Sequence, residues 1–468
     1  MADNSTDQKF DIVIVGGGSG GYSAALRAAQ LGKSVALVEK DKLGGTCLHR
    51  GCVPTKTLLH VAEMAEAPAD ARALGIDLTL NNIDVDKMLS FKDRTISRLY
   101  KGLQGLVGSG DIEYVEGFGR LTGKNTVEVT GENGTTTLTG ENIVLASGSF
   151  SKTLPGLELG GRIIDSEMAL QLPEVPKNPI ILGGGVIGVE FASVWKSLGA
   201  ESITIVEGLP NLVANEDEAL SKGLERAFKR RKIKYSLGIF FEKAEQTEDG
   251  VKVTLADGTE FEGDYLLVAV GRGPNTKDMG YEEQGIEMDR GFVLANKETL
   301  ETNVKGIYAV GDIVPGLQLA HRGFQQGIFV AEQIAGLNPE PINEAHIPRV
   351  TYCEPNVGSV GLTEKQAKEK FGEDKVESYE YNLGGNGKSQ ILGTQGFVKL
   401  VREKDGPIVG VHMLGARMSE QIGEAQLIVS WEAMPEDVAS LIHAHPTQNE
   451  SLGEAALALA GKPLHSHA

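Results

Sequence analysis

Residues 10–39 of this 468-residue chain read FDIVIVGGGSGGYSAALRAAQLGKSVALVE, and this stretch decides the fold class. The apolar runs 10–15 and 34–38 predict strands, and the alanine-rich stretch 22–31 between them predicts a helix. The break between strand and helix is Gly16, Gly18 and Gly21, a GxGxxG turn that includes Ser19. Without side chains the backbone turns tightly there, and N–H groups at the helix start can approach a pyrophosphate. Glu39 ends the second strand, with Lys40 beside it, where a carboxylate can accept hydrogen bonds from an adenosine ribose. A glycine triplet alone is weak evidence. Strand, turn, helix, strand and acid in register predict a dinucleotide-binding βαβ unit, and hence an α/β protein.

The unit recurs. Residues 180–182 predict a strand, Gly183, Gly185 and Gly188 form a second GxGxxG around Val186 and Ile187, and 203–206 lead to Glu207. One cofactor would not require both turns, so two Rossmann-like domains are expected. A ribose 2′-phosphate about 4 Å from Glu207 would feel roughly 4 kcal/mol of repulsion per unit charge at an effective dielectric of about 20. No arginine follows closely, so the second site is expected to take NAD rather than NADP. Glu190 lies on the first turn of the second helix, where a solvent-facing acid is the simplest alternative.

Directly after the first unit comes GGTCLHRGCVPTK, Gly44 to Lys56, with two of the three cysteines, Cys47 and Cys52. A bond across so short a loop makes a small ring that opens and recloses easily. Lys56, His49, Arg50 and the start of the next helix are positive features expected to favour the thiolate. From the two cysteines alone, a pair of reduced residues that merely pack is an equal alternative. Cys353 has no partner in sequence and is expected to be a packing residue.

Further along, helices are predicted over 53–67 and 88–107, the latter amphipathic and read as a core helix, and strands over 112–118 and 126–130, with a turn at Asn133-Gly134. The run 143–148 is an apolar strand ending in Ser147 and Gly148, small enough for backbone to meet a ligand. Prolines 173, 176 and 179 mark a linker. Residues 266–272, LLVAVGR, close the second unit, and 302–312, TNVKGIYAVGD, predict a strand ending at Asp312. Leu319, Ala320 and His321 open a helix reaching about 335. From 347 the pattern becomes α+β, with strands at 357–361, 397–401 and 408–414 and a helix over 421–431.

The formal charge of -19 argues against nucleic acid or an anionic membrane surface as a partner. No apolar run approaches the roughly twenty residues of a membrane span. The polar N-terminus lacks a secretory signal, and three cysteines fit a reducing, cytoplasmic setting. His465 and His467 suggest weak metal affinity at most, so no metal site is expected.

Over residues 10–457 the chain resembles the flavin-dependent pyridine nucleotide-disulfide oxidoreductases. The resemblance rests on both glycine turns, the cysteine segment, LLVAVGR, TNVKGIYAVGD and HAHPTQNE at 443–450. It departs at His49 and Arg50, where an Asn and a small or apolar residue are usual, and at Gln448-Asn449, where Leu-Ser is common. The resemblance implies an FAD domain with the redox disulfide (1–152), an NAD domain (153–276), a central region completing the FAD site (277–346) and an α+β dimerisation domain (347–468). It implies a Cys47–Cys52 disulfide, Lys56 paired with Glu190 near flavin and nicotinamide, and a base, His445, oriented by Glu450 and facing the other subunit's disulfide. FAD would also meet Gly45, Thr46, Gly119, Ser147, Gly148, Asp312 and Ala320, and NAD would meet Gly271 and Arg272. The branch it most resembles oxidises protein-bound dihydrolipoyl groups with NAD. Its implied partners are a second copy of the chain, lipoyl domains, and the E1 and E2 components of 2-oxoacid dehydrogenase complexes.

Overall fold

A computed structural model describes residues 8–132 and 134–466, the side chain of Asp70 excepted. Residues 1–7, Asn133 of the expected turn and His467 lie outside the described residues. The chain divides into two compact units, the first made of residues up to 57, 86–152 and 271–342, the second of 58–85, 153–270 and 343 onward.

In the first unit a seven-stranded sheet runs in the order Ile112–Glu116, Val35–Glu39, Gln8–Val15, Gly134–Leu145, Thr126–Gly131, Phe118–Gly123, with Ile307–Ala309 also on Gly134–Leu145. Gln8–Val15 is parallel to both its neighbours. Ile12 and Ile14 enter one core with Ala24, Ala25 and Ala28, while Val13 and Val15 enter another with Leu121 and Ile143. Burial on both faces explains why this strand reads as a continuous apolar run without alternation.

The helix Ser19–Gln30 lies against Ala320–Ile334 at very close range. A Cβ on Gly327 would stand 2.2 Å from the Gly20 carbonyl oxygen, so a side chain there would force the helices apart. Ser23 Oγ donates to Phe324 O at 3.1 Å, and Arg27 pairs with Glu332 at 2.6 Å across the same seam.

The helix Val85–Gly108 is amphipathic as expected: Leu103 and Val107 enter the core, Met88 and Lys92 are buried, and Phe91, Leu99 and Leu106 are exposed. Two expectations change. Within 302–312 only Ile307–Ala309 is strand; Gly311, at φ +75°, turns the chain into a 3₁₀ turn that carries Asp312. LLVAVGR does not close the second unit as a whole: Leu266–Val268 belongs to that unit's sheet, and Arg272–Pro274 pairs with Ser149–Ser151 in the first unit.

The second unit holds five parallel strands in the order Ile233–Leu237, Ile203–Glu207, Ile180–Leu182, Leu266–Val268, Ile163–Ile164. It also holds an antiparallel sheet in the order Arg349–Thr351, Asn356–Gly361, Ile408–Gly415, Phe397–Glu403, Val376–Asn382. Buried Lys399 joins the two parts, bonding Asp217 at 2.8 Å, the cap of helix Glu218–Arg230, and Glu364 at 2.7 Å. The helix Glu450–Leu459, not foreseen from sequence, closes the antiparallel sheet with Leu452, Ala455 and Ala456 buried.

Candidate functional site

The two glycine turns share one geometry. Gly16 and Gly183 have φ +110° and +113°, and a Cβ on either would fall 2.2 or 2.3 Å from the carbonyl oxygen of Ala146 or Ala269. A Cβ on Gly21 or Gly188 would lie 1.7 or 1.9 Å from the carbonyl oxygen of Gly16 or Gly183. Gly18 and Gly185 cap the helices Ser19–Gln30 and Val186–Ser197 with extended backbone and open space before them. That space, in front of unpaired helix N–H groups, fits a dinucleotide pyrophosphate.

The acids match as well. Glu39 Oε2 accepts from Gly17 N at 2.7 Å and Oε1 from Asp41 N at 2.8 Å; Glu207 does the same with Gly184 N at 2.6 Å and Leu209 N at 2.8 Å. Each acid therefore braces its own turn, a task the ribose argument had not assigned. Burial pushes the Glu39 carboxyl above its usual range, against the pull of the Gly17 and Lys40 amides. Lys40 Nζ stands 5.8 Å from the centroid of Phe118.

The cysteine segment folds against the first turn. Gly44 N donates to Gly17 O at 2.8 Å, and a Cβ on Gly45 would sit 2.8 Å from Gly18 Cα. Thr46 and Cys47 belong to the short helix Gly45–His49, and Cys52 opens Cys52–Ala73, which carries Lys56 one turn later. The Cys47 and Cys52 side chains are in hydrogen-bond contact, close enough for the expected disulfide to form between them. The thiolate expectation is corrected for Cys47: a hydrogen bond shared with the Cys52 side chain, then burial, push the thiol well up, although Lys56 pulls it down. Once one thiol of so close a pair has ionised, the proton that remains is shared, and the second ionisation is the one held up.

Gly119 lies in the strand Phe118–Gly123, where a Cβ would meet the Val38 and Val15 side chains at 3.0 and 3.2 Å. Ser147 Oγ donates to Asn275 O at 2.6 Å and accepts from Tyr281 Oη at 3.1 Å, beside Gly148 at φ +75°. Asp312 accepts from Ser149 Oγ, which accepts from Arg272 Nε at 2.7 Å. Arg272, expected at the NAD site, thus lies in the first unit beside Asp312, and Gly271 with it. Sequence reading missed Ser149, and also Arg322 and Gln326, which hold Pro315 O at 2.8 Å and Gly311 N at 2.7 Å to fix the Asp312 turn. Two polar residues four apart on the buried face of the Ala320–Ile334 helix were the available signal.

In the second unit Glu190 is 2% exposed and accepts from Tyr352 N at 3.0 Å, which removes the solvent-facing alternative. Cys353 is fully buried, as its packing role requires. His445 Nδ1 lies 2.8 Å from Glu450 Oε1, and Glu450 Oε2 accepts from Thr447 N at 2.7 Å. Since the carboxylate only accepts, the ring proton sits on Nδ1 and Nε2 is left as the basic nitrogen. Burial opposes ionisation of Glu450, but the Thr447 amide and His445 hold its carboxyl below the usual range. Leu427, Trp431, Leu441 and Ile442 are exposed on the C-terminal module, Ile442 completely.

Among the described residues no helix is long and apolar enough to cross a membrane, and no His, Cys, Asp or Glu cluster could hold a metal. Residues 10–327 match the pyridine nucleotide-disulphide oxidoreductase family, and 347–456 match the dimerisation domain of that family. The chain is 37% identical to a dihydrolipoyl dehydrogenase of Bacillus subtilis, covering 98% of this chain and 99% of the relative. It is 38% identical to dihydrolipoyl dehydrogenase 3 of Pseudomonas putida (97% and 99% covered) and to a leghemoglobin reductase of Vigna unguiculata (99% and 90%). Among solved structures it superposes on LpdA of Mycobacterium tuberculosis with a TM-score of 0.89 at 25% identity, covering 97% of this chain and 99% of that one. The HOCl-induced flavoprotein disulfide reductase RclA of Escherichia coli, in its Cu(II) complex, gives 0.86 at 25% identity, with 97% and 100% covered. Two glycine turns, a dithiol loop on the first of them and a dimerisation module make this chain a member of the pyridine nucleotide-disulphide oxidoreductase family, flavoenzymes that use FAD and NAD.

Proposed function

We propose that the protein oxidises a protein-bound dihydrolipoyl group to its disulfide and reduces NAD. The observation that carries this reading is the pair of thiols sharing a hydrogen bond on a loop bolted to the first glycine turn. FAD bound at the first turn, by Glu39 and Asp312, supplies a two-electron acceptor for the thiols, and NAD bound at the second supplies the final hydride acceptor.

The chain's own residues do the sulfur chemistry. His445 Nε2 takes the proton of one substrate thiol, while Glu450 steadies the resulting imidazolium. The substrate thiolate attacks Cys47 Sγ in the Cys47–Cys52 disulfide; that bond breaks, a mixed disulfide forms, and Cys52 leaves as a thiolate. The second substrate sulfur then closes the substrate disulfide and frees Cys47. Two electrons and two protons have left the substrate, and the cysteine pair holds the two electrons.

Lys56, on the helix that Cys52 opens, stabilises the thiolates. Family relatives named dihydrolipoyl dehydrogenase support this substrate, and the dimerisation domain supports a homodimer in which His445 serves the partner's cysteines. The lipoyl domains would belong to a 2-oxoacid dehydrogenase or glycine-cleavage complex, in the cytoplasm. Steady-state assays decide the matter: NAD reduction with dihydrolipoamide is expected, and turnover of glutathione disulfide with NADPH instead would overturn the reading.

A further inference from the structure

We propose that His49 and Arg50 are positioning residues that clamp the loop between the two sulfurs and so favour the Cys47–Cys52 disulfide over the dithiol; this rests on the redox role given to that pair above. Both side chains reach back to one short segment. His49 Nε2 donates to Leu43 O at 2.8 Å, its ring set edge-on to Tyr100 with centroids 5.0 Å apart and planes at 80°. Arg50 forms an ion pair with Asp41.

That segment is itself fixed to the nucleotide turn, since Asp41 N donates to Glu39 Oε1 at 2.8 Å and Gly44 N to Gly17 O at 2.8 Å. The second unit shows that the frame does not need the clamp. There Leu209 N to Glu207 Oε1 at 2.8 Å and Val213 N to Gly184 O at 2.8 Å repeat the chain path with no cysteine loop to hold. His49 and Arg50 are therefore additions that act on the loop.

Closing a disulfide costs the chain entropy of bringing the sulfurs together. A loop already held with its thiols in hydrogen-bonding reach has met most of that cost before the bond forms. Releasing the loop shifts the equilibrium toward the dithiol.

The test uses purified, flavin-loaded protein equilibrated anaerobically with mixtures of reduced and oxidised dithiothreitol, then acid-quenched, alkylated and weighed. In this exchange Cys47 Sγ and Cys52 Sγ gain one S–S bond as the reagent's S–S bond opens, with two electrons and two protons passing to the reagent. His49→Leu is expected to move the equilibrium about tenfold toward the dithiol, about 30 mV for a two-electron couple. His49→Asn, which keeps an N–H donor, is expected to restore part of the shift, and Arg50→Gln to move it in the same direction by less. Arg50→Gln alters a partly exposed ion pair and carries the test if His49→Leu loses its flavin. Values for both His49→Leu and Arg50→Gln within twofold of the parent, or a shift toward the disulfide, overturn the clamp. The readout counts sulfur bonds, not turnover, so it stands even if dihydrolipoyl groups prove not to be the substrate; a parent that never forms the bond sinks both proposals.

Discussion

The first and second glycine turns are near copies in backbone and differ in what is attached to them. In both, glycine lets one strand-end carbonyl and one helix come together, and a glutamate at the next strand's end braces the turn. After the first acid the chain makes the cysteine loop and returns through a second helix, Ala320–Ile334, closely seated on the first. After the second acid the chain goes to Asp217 and a buried ion network joined to the antiparallel sheet. The same nucleotide frame thus serves redox chemistry in one unit and attachment of the dimerisation module in the other.

The largest effects are expected from breaking each turn separately. Gly21→Ala forces a Cβ to 1.7 Å from Gly16 O and should yield protein without flavin, read from its visible spectrum. Gly188→Ala, with its Cβ 1.9 Å from Gly183 O, should keep the flavin and raise the KM for NAD by on the order of 10²-fold, the scale of an ångström misplacement. Equal flavin loss in both variants would show that the two turns do not hold separate dinucleotides. Next, His445→Gln should lower turnover with dihydrolipoamide by on the order of 10²–10⁴ while flavin reduction by NADH stays at the parent rate. A fall in both would place His445 outside the proton transfer.

A smaller change follows at the second acid. Glu207→Gln keeps the acceptor for Gly184 N but removes the charge, and the preference for NAD over NADP should narrow by roughly tenfold to a hundredfold, less than the bare Coulomb figure because water and salt screen it. Unchanged preference would mean Glu207 serves only the turn.

The smallest effect concerns pH. His412 is fully buried with Nε2 donating to Leu362 O at 2.9 Å, and burial lowers its pKa from 6.5, against the pull of Asp217. The unfolded chain takes up that proton first, so the stabilisation is complete above pH 6.5 and declines as pH falls below it. Glu364, opposed by burial but held down to about 2 by Lys368 and Lys399, adds stability above 4.5 that is lost from there toward 2. Melting temperature against pH should show the higher step vanish in His412→Asn; a step that persists would assign it to another group.

Much of this was legible in sequence because glycines 16, 18, 21, 183, 185 and 188 answer to local steric rules that hold wherever the unit occurs. The spacing of Cys47, Cys52 and Lys56 and of His445 and Glu450 likewise fixes a local geometry. What was not legible depended on distant partners. Arg272 is tied to the nicotinamide site by the family resemblance of its segment alone; its bond to Ser149, after the Gly271 turn at φ +109°, depends on a residue 123 positions away. Cys47 was expected to ionise from its positive neighbours, but the thiol opposite, unseen in a charge count, outweighs them. Lys92 sits in a helix read as core and is buried, whereas Leu99 and Leu106 on the same helix are not.

The central claim is that electrons enter at the sulfur pair on the first turn and leave through a nicotinamide on the second. Anaerobic addition of dihydrolipoamide to the purified protein, followed by NAD, tests it in one cuvette. The account predicts that dihydrolipoamide changes the flavin spectrum of the parent but not of Cys52→Ser, and that NAD then reverses the change with formation of NADH. A parent whose flavin is untouched by dihydrolipoamide, or a Cys52→Ser variant that reacts like the parent, would contradict it.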